Sequence, residues 1–132
     1  MIQKQVAERL IAQKDTKEYG ILSILVNAQA QVLKLFVVDR KNFYPQPKVD
    51  SMVIKLEFLK SHSELENYEL FKNIVKSSFN NRRKMLKNSL KKIISEQEFK
   101  MIESVALNLR PENLSIVDFS NLTNEIVQIR KQ

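Results

Sequence analysis

The chain contains no cysteine and a single histidine in 132 residues. Without cysteine it forms no disulfides and offers neither a thiolate metal ligand nor a thiol nucleophile. Such a composition suits the reducing cytoplasm, and we expect a cytoplasmic protein. The histidine, His62, cannot build a zinc site or a histidine-based triad by itself, so we expect no bound metal. It stands between two serines, and we interpret it as a solvated linker residue.

Glycine and long apolar runs are also scarce. Gly20 is the only glycine, whereas a chain of this length has about nine on average. A glycine-rich phosphate loop or a dinucleotide-binding fingerprint needs several, so neither is present. No apolar run approaches the ~20 residues that span a bilayer. The first residues lack the apolar stretch of a signal peptide. We therefore expect no membrane partner.

Positive charge is concentrated in one stretch of the sequence. The net charge is +7, and between Leu70 and Ser95 there are eight basic residues and no acidic one. We call residues 70–95 the basic segment. Its cations are Lys72, Lys76, Arg82, Arg83, Lys84, Lys87, Lys91 and Lys92. An ordinary solvated lysine face is the simpler interpretation, but the strict separation of sign and the paired arginines favour contacts with nucleic-acid phosphates.

Helical spacing would align several of these cations. Apolar positions predict one helix over residues 82–94. On it Lys84, Lys87 and Lys91 fall at i, i+3 and i+7, which places them on one face. The opposite face would hold Met85, Leu86 and Ile93. Like charges this close repel each other, and a phosphate backbone would offset the repulsion.

The remaining periodicities predict two domains. In the first, helices are predicted at residues 1–13 and 19–30, and strands at 33–38 and 52–58. A strand is the competing interpretation for the apolar first half of residues 19–30. The polar residues 59–64 mark the domain boundary.

After the boundary every segment is predicted as helix. Further helices are expected at residues 66–79 and 95–104, and a last one begins near Ser115. Ser115 can cap that helix, with Asp118 at its third position. The fold class is therefore α+β, with an all-α second part.

Residues 43–51 (FYPQPKVDS) form the loop between the two predicted strands. Two of the three prolines lie in this loop, and a Pro-x-Pro run is extended and stiff. A stiff loop between strands holds its side chains in fixed positions, as functional loops do. At its start stands Phe43. Composition alone favours a simpler interpretation, in which Phe43 fills the core at a strand end.

Four stretches resemble one protein family. Residues 43–51 resemble the FxPxPKVDS motif of the ribosomal RNA adenine dimethyltransferases. Residues 3–10 (QKQVAERL) are similar to the helix that follows the catalytic strand in that family. Residues 79–84 (FNNRRK) with 88–90 (NSL), and residues 110–115 (RPENLS), resemble motifs of its KsgA-type members, which act on the small ribosomal subunit. The four stretches stand in the family's order.

The resemblance implies the C-terminal portion of such an enzyme. The family's glycine-rich S-adenosylmethionine loop and its catalytic Asn-Leu-Pro-Tyr sequence do not occur in this chain. Residues 1–59 would hold the last two antiparallel strands and flanking helices of a Rossmann-like methyltransferase sheet. Residues 60–132 would form the helical domain that binds rRNA and the small subunit. The parent enzyme dimethylates two adjacent adenosines of 16S rRNA, and this chain alone is expected to be inactive.

The resemblance also gives the site residues their roles. Phe43 would stack against the target adenine, because a base must leave its helix before it reacts. Lys48 would contact a phosphate, and Asp50 with Ser51 would fix the loop by local hydrogen bonds. The expected RNA-binding residues are Lys48, Arg82, Arg83, Lys84, Lys87 and Lys91.

Two other functions remain open from the sequence. One is an Erm-type enzyme that methylates large-subunit rRNA, which shares the loop motif. The other is a helical nucleic-acid-binding or ribosome-assembly module without catalysis. We also expect that an unpaired edge of the strand at residues 52–58 allows self-association.

Overall fold

The computed structural model describes residues 1–58 and 65–132. The chain divides into two compact units, Met1–Lys60 and Ser61–Gln132. The predicted linker at residues 59–64, with His62, lies outside the described residues. The assignment of 1–59 as a catalytic-domain remnant and of 60–132 as an rRNA-binding domain stays a prediction.

The first unit contains a sheet of three antiparallel strands, β1 (Ile2–Gln3), β2 (Ala30–Val38) and β3 (Ser51–Phe58), in the order β1-β3-β2. The sequence predicted two strands and placed residues 1–3 in a helix, which is wrong. Ile2 pairs with Met52 and Gln3 with Ser51. Helical spacing reports only on neighbouring residues. Ile2 and Gln3 are extended because they pair with a strand that lies about fifty residues further along the chain.

Two helices pack on this sheet, α1 (Lys4–Ile11) and α2 (Ile21–Asn27). Side chains of α2 bind the end of α1: the Ser23 hydroxyl donates to the Arg9 carbonyl, and Asn27 Nδ2 donates to the Leu10 carbonyl at 2.6 Å. The competing strand interpretation of the first half of residues 19–30 is wrong, because Ile21–Asn27 is helical. The helix is shorter than predicted, because β2 already begins at Ala30.

The two long strands bring the ends of their connecting loop together. Val38 pairs with Ser51, so residues 39–50 begin and end side by side. The backbone N–H of Lys4, the first residue of α1, donates to the Asp50 carbonyl at 2.9 Å. The last residue of the loop is thereby joined to the start of α1.

One side of β3 is open over most of its length. Because β1 pairs only with Ser51 and Met52, the stretch from Val53 to Phe58 has no strand partner on that side among residues 1–58 and 65–132. Open backbone groups of this kind can template pairing with another chain. Self-association through this edge stays a prediction.

The second unit is built from helices α3 (Tyr68–Asn80), α4 (Leu86–Ser89), α5 (Glu96–Met101) and α6 (Ile116–Lys131), with a 3-10 turn at Pro111–Asn113. Its buried apolar side chains form one core. They are Leu70, Phe71, Ile74, Val75, Leu86, Leu90, Ile94, Phe99, Val105, Leu114, Phe119, Leu122 and Ile126. No helix in the described part of the chain is long and apolar enough to cross a bilayer.

Capping explains where α5 and α6 begin. The Ser95 hydroxyl accepts from the Glu98 N–H at 3.2 Å, and the Glu98 carboxylate accepts from the Ser95 N–H at 3.0 Å. Ser115 and Asp118 make the same reciprocal pair at 3.1 and 2.9 Å. Such boxes satisfy backbone donors that a helix start leaves without partners. The cap at Ser115 confirms the sequence prediction.

In the second unit, the helices predicted at residues 82–94 and 95–104 are much shorter than expected. The helix predicted at residues 95–104 ends at Met101, because the backbone N–H groups that follow bind a side chain instead of the carbonyls of the preceding helical turn. Those of Glu103 and Ser104 donate to the Glu125 carboxylate at 3.0 and 3.2 Å. The helix predicted at 82–94 is likewise reduced to the single turn of α4.

Candidate nucleic-acid interface

The loop between β2 and β3 is closed by Arg40. Its backbone N–H and its Nε both donate to Asp50 Oδ1, at 2.9 and 3.1 Å. Its Nη1 also donates to the Lys48 carbonyl at 2.7 Å. At the loop start, the Asp39 carboxylate accepts from the Lys41 N–H at 2.8 Å and opens a 3-10 turn, Arg40–Asn42. The loop is therefore held at both ends by side-chain bonds, and Arg40 was not singled out in the sequence.

Electrostatics favour this closure. The hydrogen bond from the Arg40 backbone N–H, followed by that from its side chain, holds the pKa of Asp50 below its usual value. Asp50 therefore stays ionised, and keeps its partners, to a lower pH than an ordinary aspartate would. The expectation that Asp50 fixes the loop by local hydrogen bonds is confirmed.

Phe43 directly follows this 3-10 turn. Its N–H donates to the Arg40 carbonyl at 3.3 Å, and its backbone is extended. The ring is half-buried, neither enclosed like the core residues nor fully in solvent. Lys48, near the other end of the loop, is exposed.

Tyr44 was missed by the sequence reasoning. Its side chain is 101% exposed, and its peptide bond to Pro45 is cis. A second aromatic residue beside Phe43 in a proline-rich loop was the available signal. The loop thus presents two neighbouring rings with different degrees of exposure.

In the second unit, most cations of the basic segment are exposed. Two make ion pairs: Lys72 with Glu69 and Arg82 with Glu112, each at 3.6 Å. The others point into solvent and have no ion-pair partner among residues 1–58 and 65–132. They are Lys76, Arg83, Lys84, Lys87, Lys91 and Lys92.

The predicted basic stripe on one continuous helix is wrong. Lys84 precedes α4 and Lys91 follows it, so only Lys87 of the three lies in the helix. The backbone N–H groups of Leu86 and Lys87 donate to the carbonyls of Leu109 and Leu107, at 2.9 and 3.1 Å. These distant acceptors fix a turn where a helix would have continued. The cations are exposed, but they lie on turns around α4.

Arg82 differs from its neighbours. Its guanidinium lies 5.7 Å from the centre of the Phe79 ring, in addition to the ion pair with Glu112. The Phe79 ring in turn lies 6.2 Å from that of Phe119, which is fully buried in the core. Arg83, by contrast, is exposed. Of the predicted RNA-binding residues, Arg82 therefore packs against the protein, whereas the others are exposed.

The geometry also joins two motifs that are far apart in sequence. Residues 79–84 and 110–115 are brought together by the Arg82–Glu112 pair and by the hydrogen bonds from α4 to residues 107 and 109. Within these two motifs, Arg83 and Lys84 are exposed. An array of exposed cations on a fixed backbone can contact the phosphates of a folded nucleic acid.

Comparison with known proteins gives consistent matches over nearly the whole chain. The sequence model of the family described as ribosomal RNA adenine dimethylase matches residues 1–128. A Bacteroides fragilis protein named ribosomal RNA small subunit methyltransferase A is 44% identical over 131 residues, covering 99% of this chain and 48% of its own length. A protein of the same name from Francisella tularensis subsp. novicida is 42% identical over 125 residues, covering 94% and 48%.

Solved structures agree with these sequence matches. The crystal structure of a dimethyladenosine transferase from Plasmodium falciparum matches with a TM-score of 0.79 at 25% identity, over 96% of this chain and 55% of that one. The 23S rRNA methyltransferase ErmE shares the fold at a TM-score of 0.58 and 21% identity, over 96% and 52%. The chain spans about half the length of the relatives it matches. It belongs to the ribosomal RNA adenine dimethylase family.

Proposed function

We propose that this chain is the C-terminal part of a cytoplasmic, S-adenosylmethionine-dependent enzyme that dimethylates two adjacent adenosines of small-subunit (16S) rRNA during ribosome biogenesis. The observation that carries the proposal is the braced loop with Phe43 in a chain whose relatives, at 42 and 44% identity, are named small subunit methyltransferase A. In this proposal residues 1–59 belong to the catalytic domain and residues 60–132 bind rRNA.

The sheet supports the first assignment. Its outer strands β1 and β2 are both antiparallel to β3, so they run parallel to each other with one reversed strand between them. Parallel strands joined by helices are typical of α/β sheets, and such sheets often carry one antiparallel strand. We propose that the three strands end a larger Rossmann-like methyltransferase sheet.

Phe43 is proposed to stack on the adenine that is to be methylated. An adenine amine inside a helix is inaccessible, so the base must be extruded and held by flat apolar groups. Stacking on an aromatic ring is worth ~1–3 kcal/mol per base. The bonds of Arg40 to Asp50 and to the Lys48 carbonyl fix the loop beforehand, which reduces the ordering cost on binding. Lys48 itself is exposed and free to contact a phosphate.

The basic segment is proposed to dock on the small ribosomal subunit. Exposed Arg83, Lys84, Lys87 and Lys91 would contact rRNA phosphates, which position an enzyme without reading sequence. The pairing of Arg82 with Glu112 points to a different role for this arginine.

The residues present do not fit S-adenosylmethionine. Gly20, the only glycine, lies at the start of α2 with extended backbone (φ −167°, ψ −159°), and its N–H is bound to the Ser23 hydroxyl at 3.1 Å. It therefore builds no glycine-rich cradle. In our proposal the cofactor is held by the part of the enzyme that this chain does not contain, and the chain alone transfers no methyl group.

A chimera tests the function directly. This chain replaces the matching residues of the Bacteroides fragilis relative, and methyl transfer from S-adenosylmethionine to undermethylated small subunits is measured. We expect activity in the chimera and none in the chain alone. A chimera that folds and binds cofactor but prefers large-subunit rRNA, or does not methylate, would refute the proposal.

Within the chimera, Phe43→Ala isolates the stacking ring. We expect turnover to fall roughly 10- to 100-fold, the equivalent of lost base stacking, whereas Phe43→Trp retains most of it. Tyr44→Ala is the matched control, because it removes the adjacent and more exposed ring. A greater loss with Tyr44→Ala than with Phe43→Ala would contradict the role given to Phe43.

A further inference from the structure

Arg82 is one of three consecutive cations, but its surroundings are unlike those of the other two. We propose that Arg82 is a positioning residue: by binding Glu112 it holds the turn that presents Arg83 and Lys84 to rRNA, and it makes no phosphate contact of its own. This inference rests on the proposed function, because it concerns how the basic segment binds RNA.

The side chain of Arg82 is engaged on two sides. Its Nη2 lies 3.6 Å from Glu112 Oε2, and its guanidinium lies 5.7 Å from the Phe79 ring centre. The side chains of both Arg82 and Glu112 are about one third exposed, at 35% and 28%. A planar guanidinium can pair with a carboxylate and lie against an aromatic ring together, which an ammonium does less well.

Glu112 is a fixed partner. It lies in the 3-10 turn Pro111–Asn113, and Pro111 is buried. The Arg110 N–H donates to Asn113 Oδ1 at 3.1 Å, while the Asn113 N–H donates to the Arg110 carbonyl at 3.0 Å. Because these two hydrogen bonds close the turn, the backbone of Glu112 is held in place and its carboxylate can fix the position of the Arg82 side chain.

The turn that Arg82 anchors carries the exposed cations. It connects the end of α3 at Asn80 with the start of α4 at Leu86. The Lys84 N–H donates to the Asn81 carbonyl at 2.9 Å, and the Ser89 hydroxyl reaches the same carbonyl at 3.4 Å. Arg82 ties this turn to a second segment, so that Arg83 and Lys84 project from a defined backbone.

Charge argues against Arg82 as a phosphate contact. A phosphate close to its guanidinium would also lie close to the Glu112 carboxylate, and the two anions would repel each other. The arginine's charge is thus locally offset. Arg83 and Lys84 have no ion-pair partner among the residues that the structure describes, and their full charge is available.

Replacing the Glu112 carboxylate distinguishes phosphate contact from positioning by Arg82, because the two roles predict opposite changes in RNA affinity. If Arg82 contacts phosphate, Glu112→Gln removes a repulsive charge and RNA binding becomes tighter. If Arg82 positions the turn, the same change releases it and binding becomes weaker. We expect a loss of about three- to tenfold, since immobilising one or two long side chains costs binding energy of that size.

The salt dependence gives an independent measurement. The affinity of the chain for 16S rRNA is followed by fluorescence anisotropy from 50 to 200 mM KCl. Arg83→Gln removes a phosphate contact, so the slope of log K against log salt falls by about 0.7 to 0.9. Arg82→Gln weakens binding at every salt concentration and leaves the slope unchanged.

A charge-swapped double variant controls for simple disruption. Arg82→Glu together with Glu112→Arg keeps the ion pair and the net charge but gives up the contact with the Phe79 ring, so we expect an affinity above that of Arg82→Gln and below that of the unaltered chain. Tighter binding by Glu112→Gln, a reduced slope for Arg82→Gln or a swapped variant that binds no more tightly than Arg82→Gln overturns the inference. Absence of RNA binding by the unaltered chain overturns the proposed function, and the inference with it.

Discussion

Replacing Lys84, Lys87 and Lys91 by glutamine tests whether the basic segment binds phosphates. All three are exposed and have no ion-pair partner in the described part of the chain. The substitutions therefore remove charge without breaking an ion pair in the fold. The net charge falls from +7 to about +4.

The structure sets the size of the effect. Six cations of the basic segment are exposed and unpaired within the described residues, and each phosphate contact adds about 0.9 to the salt slope on a duplex. If all six bind, the slope is about −5, and affinity falls on the order of 10³-fold between 50 and 200 mM salt. With three removed, the slope is about −2.7 and the same increase in salt lowers affinity roughly 40-fold.

The assay is equilibrium binding to immature small subunits over that range of salt. The matched control replaces Lys14, Lys17 and Lys100, which are also exposed but lie outside the basic segment. The control lowers the net charge equally and should leave the slope almost unchanged. Equal slopes for both triple variants, or a triple variant in the basic segment that binds like the unaltered chain, would refute the reasoning.

Three further predictions concern stability and the loop. Leu86→Ala truncates a fully buried side chain and should lower the free energy of unfolding by about 2–5 kcal/mol in urea titrations. The hydrogen bond from Arg130, followed by that from the Ser95 N–H, lowers the pKa of Glu98. The lowered pKa stabilises the fold at pH values above the pKa that Glu98 has in the unfolded chain, and this stabilisation is lost as pH falls through the pKa of Glu98 in the folded chain. A Glu98→Gln variant lacks this contribution, so it should lose less stability than the unaltered chain between pH 6 and about pH 3. Asp50→Ala removes the acceptor of the Arg40 N–H, and amide hydrogen exchange at Arg40 should become faster.

Each of these predictions has an outcome that would contradict it. Met85→Ala is the control for Leu86, since Met85 is 42% exposed; an equal cost at both positions would show that burial does not set the effect. Glu96→Gln changes an exposed carboxylate in the same turn as Glu98, and its pH profile should follow that of the unaltered chain. Unchanged exchange at Arg40 would mean that Asp50 does not close the loop.

The local signals in the sequence were sufficient for much of the second unit. The apolar spacing of α3 and the cap at Ser115 are properties of neighbouring residues, and both are seen in the structure. The α+β character of the chain and the strand at Ser51–Phe58 could also be predicted, because alternation of apolar and polar side chains is local too.

The errors arise where distant partners decide the conformation. Ile2 and Gln3 carry helical spacing, but they pair with β3. Leu86 and Lys87 would continue a helix, but their N–H groups bind carbonyls about twenty residues further on, at Leu109 and Leu107. No window of neighbouring residues contains these partners.

The same distinction applies to the site. The hydrogen bonding of Asp50 within the loop could be predicted from its position in the motif. The role of Arg40 could not, because it depends on a register that brings residues 38 and 51 side by side. Likewise, three consecutive cations look equivalent in sequence until Glu112 is found beside one of them.

The double engagement of Asp50 restricts how the length of this region can vary. Its carbonyl accepts from Lys4 at the start of α1, and its carboxylate accepts from Arg40. Residues inserted or deleted between 41 and 49 would leave both anchors in place, as surface loops usually tolerate. An insertion between residues 50 and 52 would instead shift Asp50 against the strand register, detaching the loop and the first turn of the helix in one step.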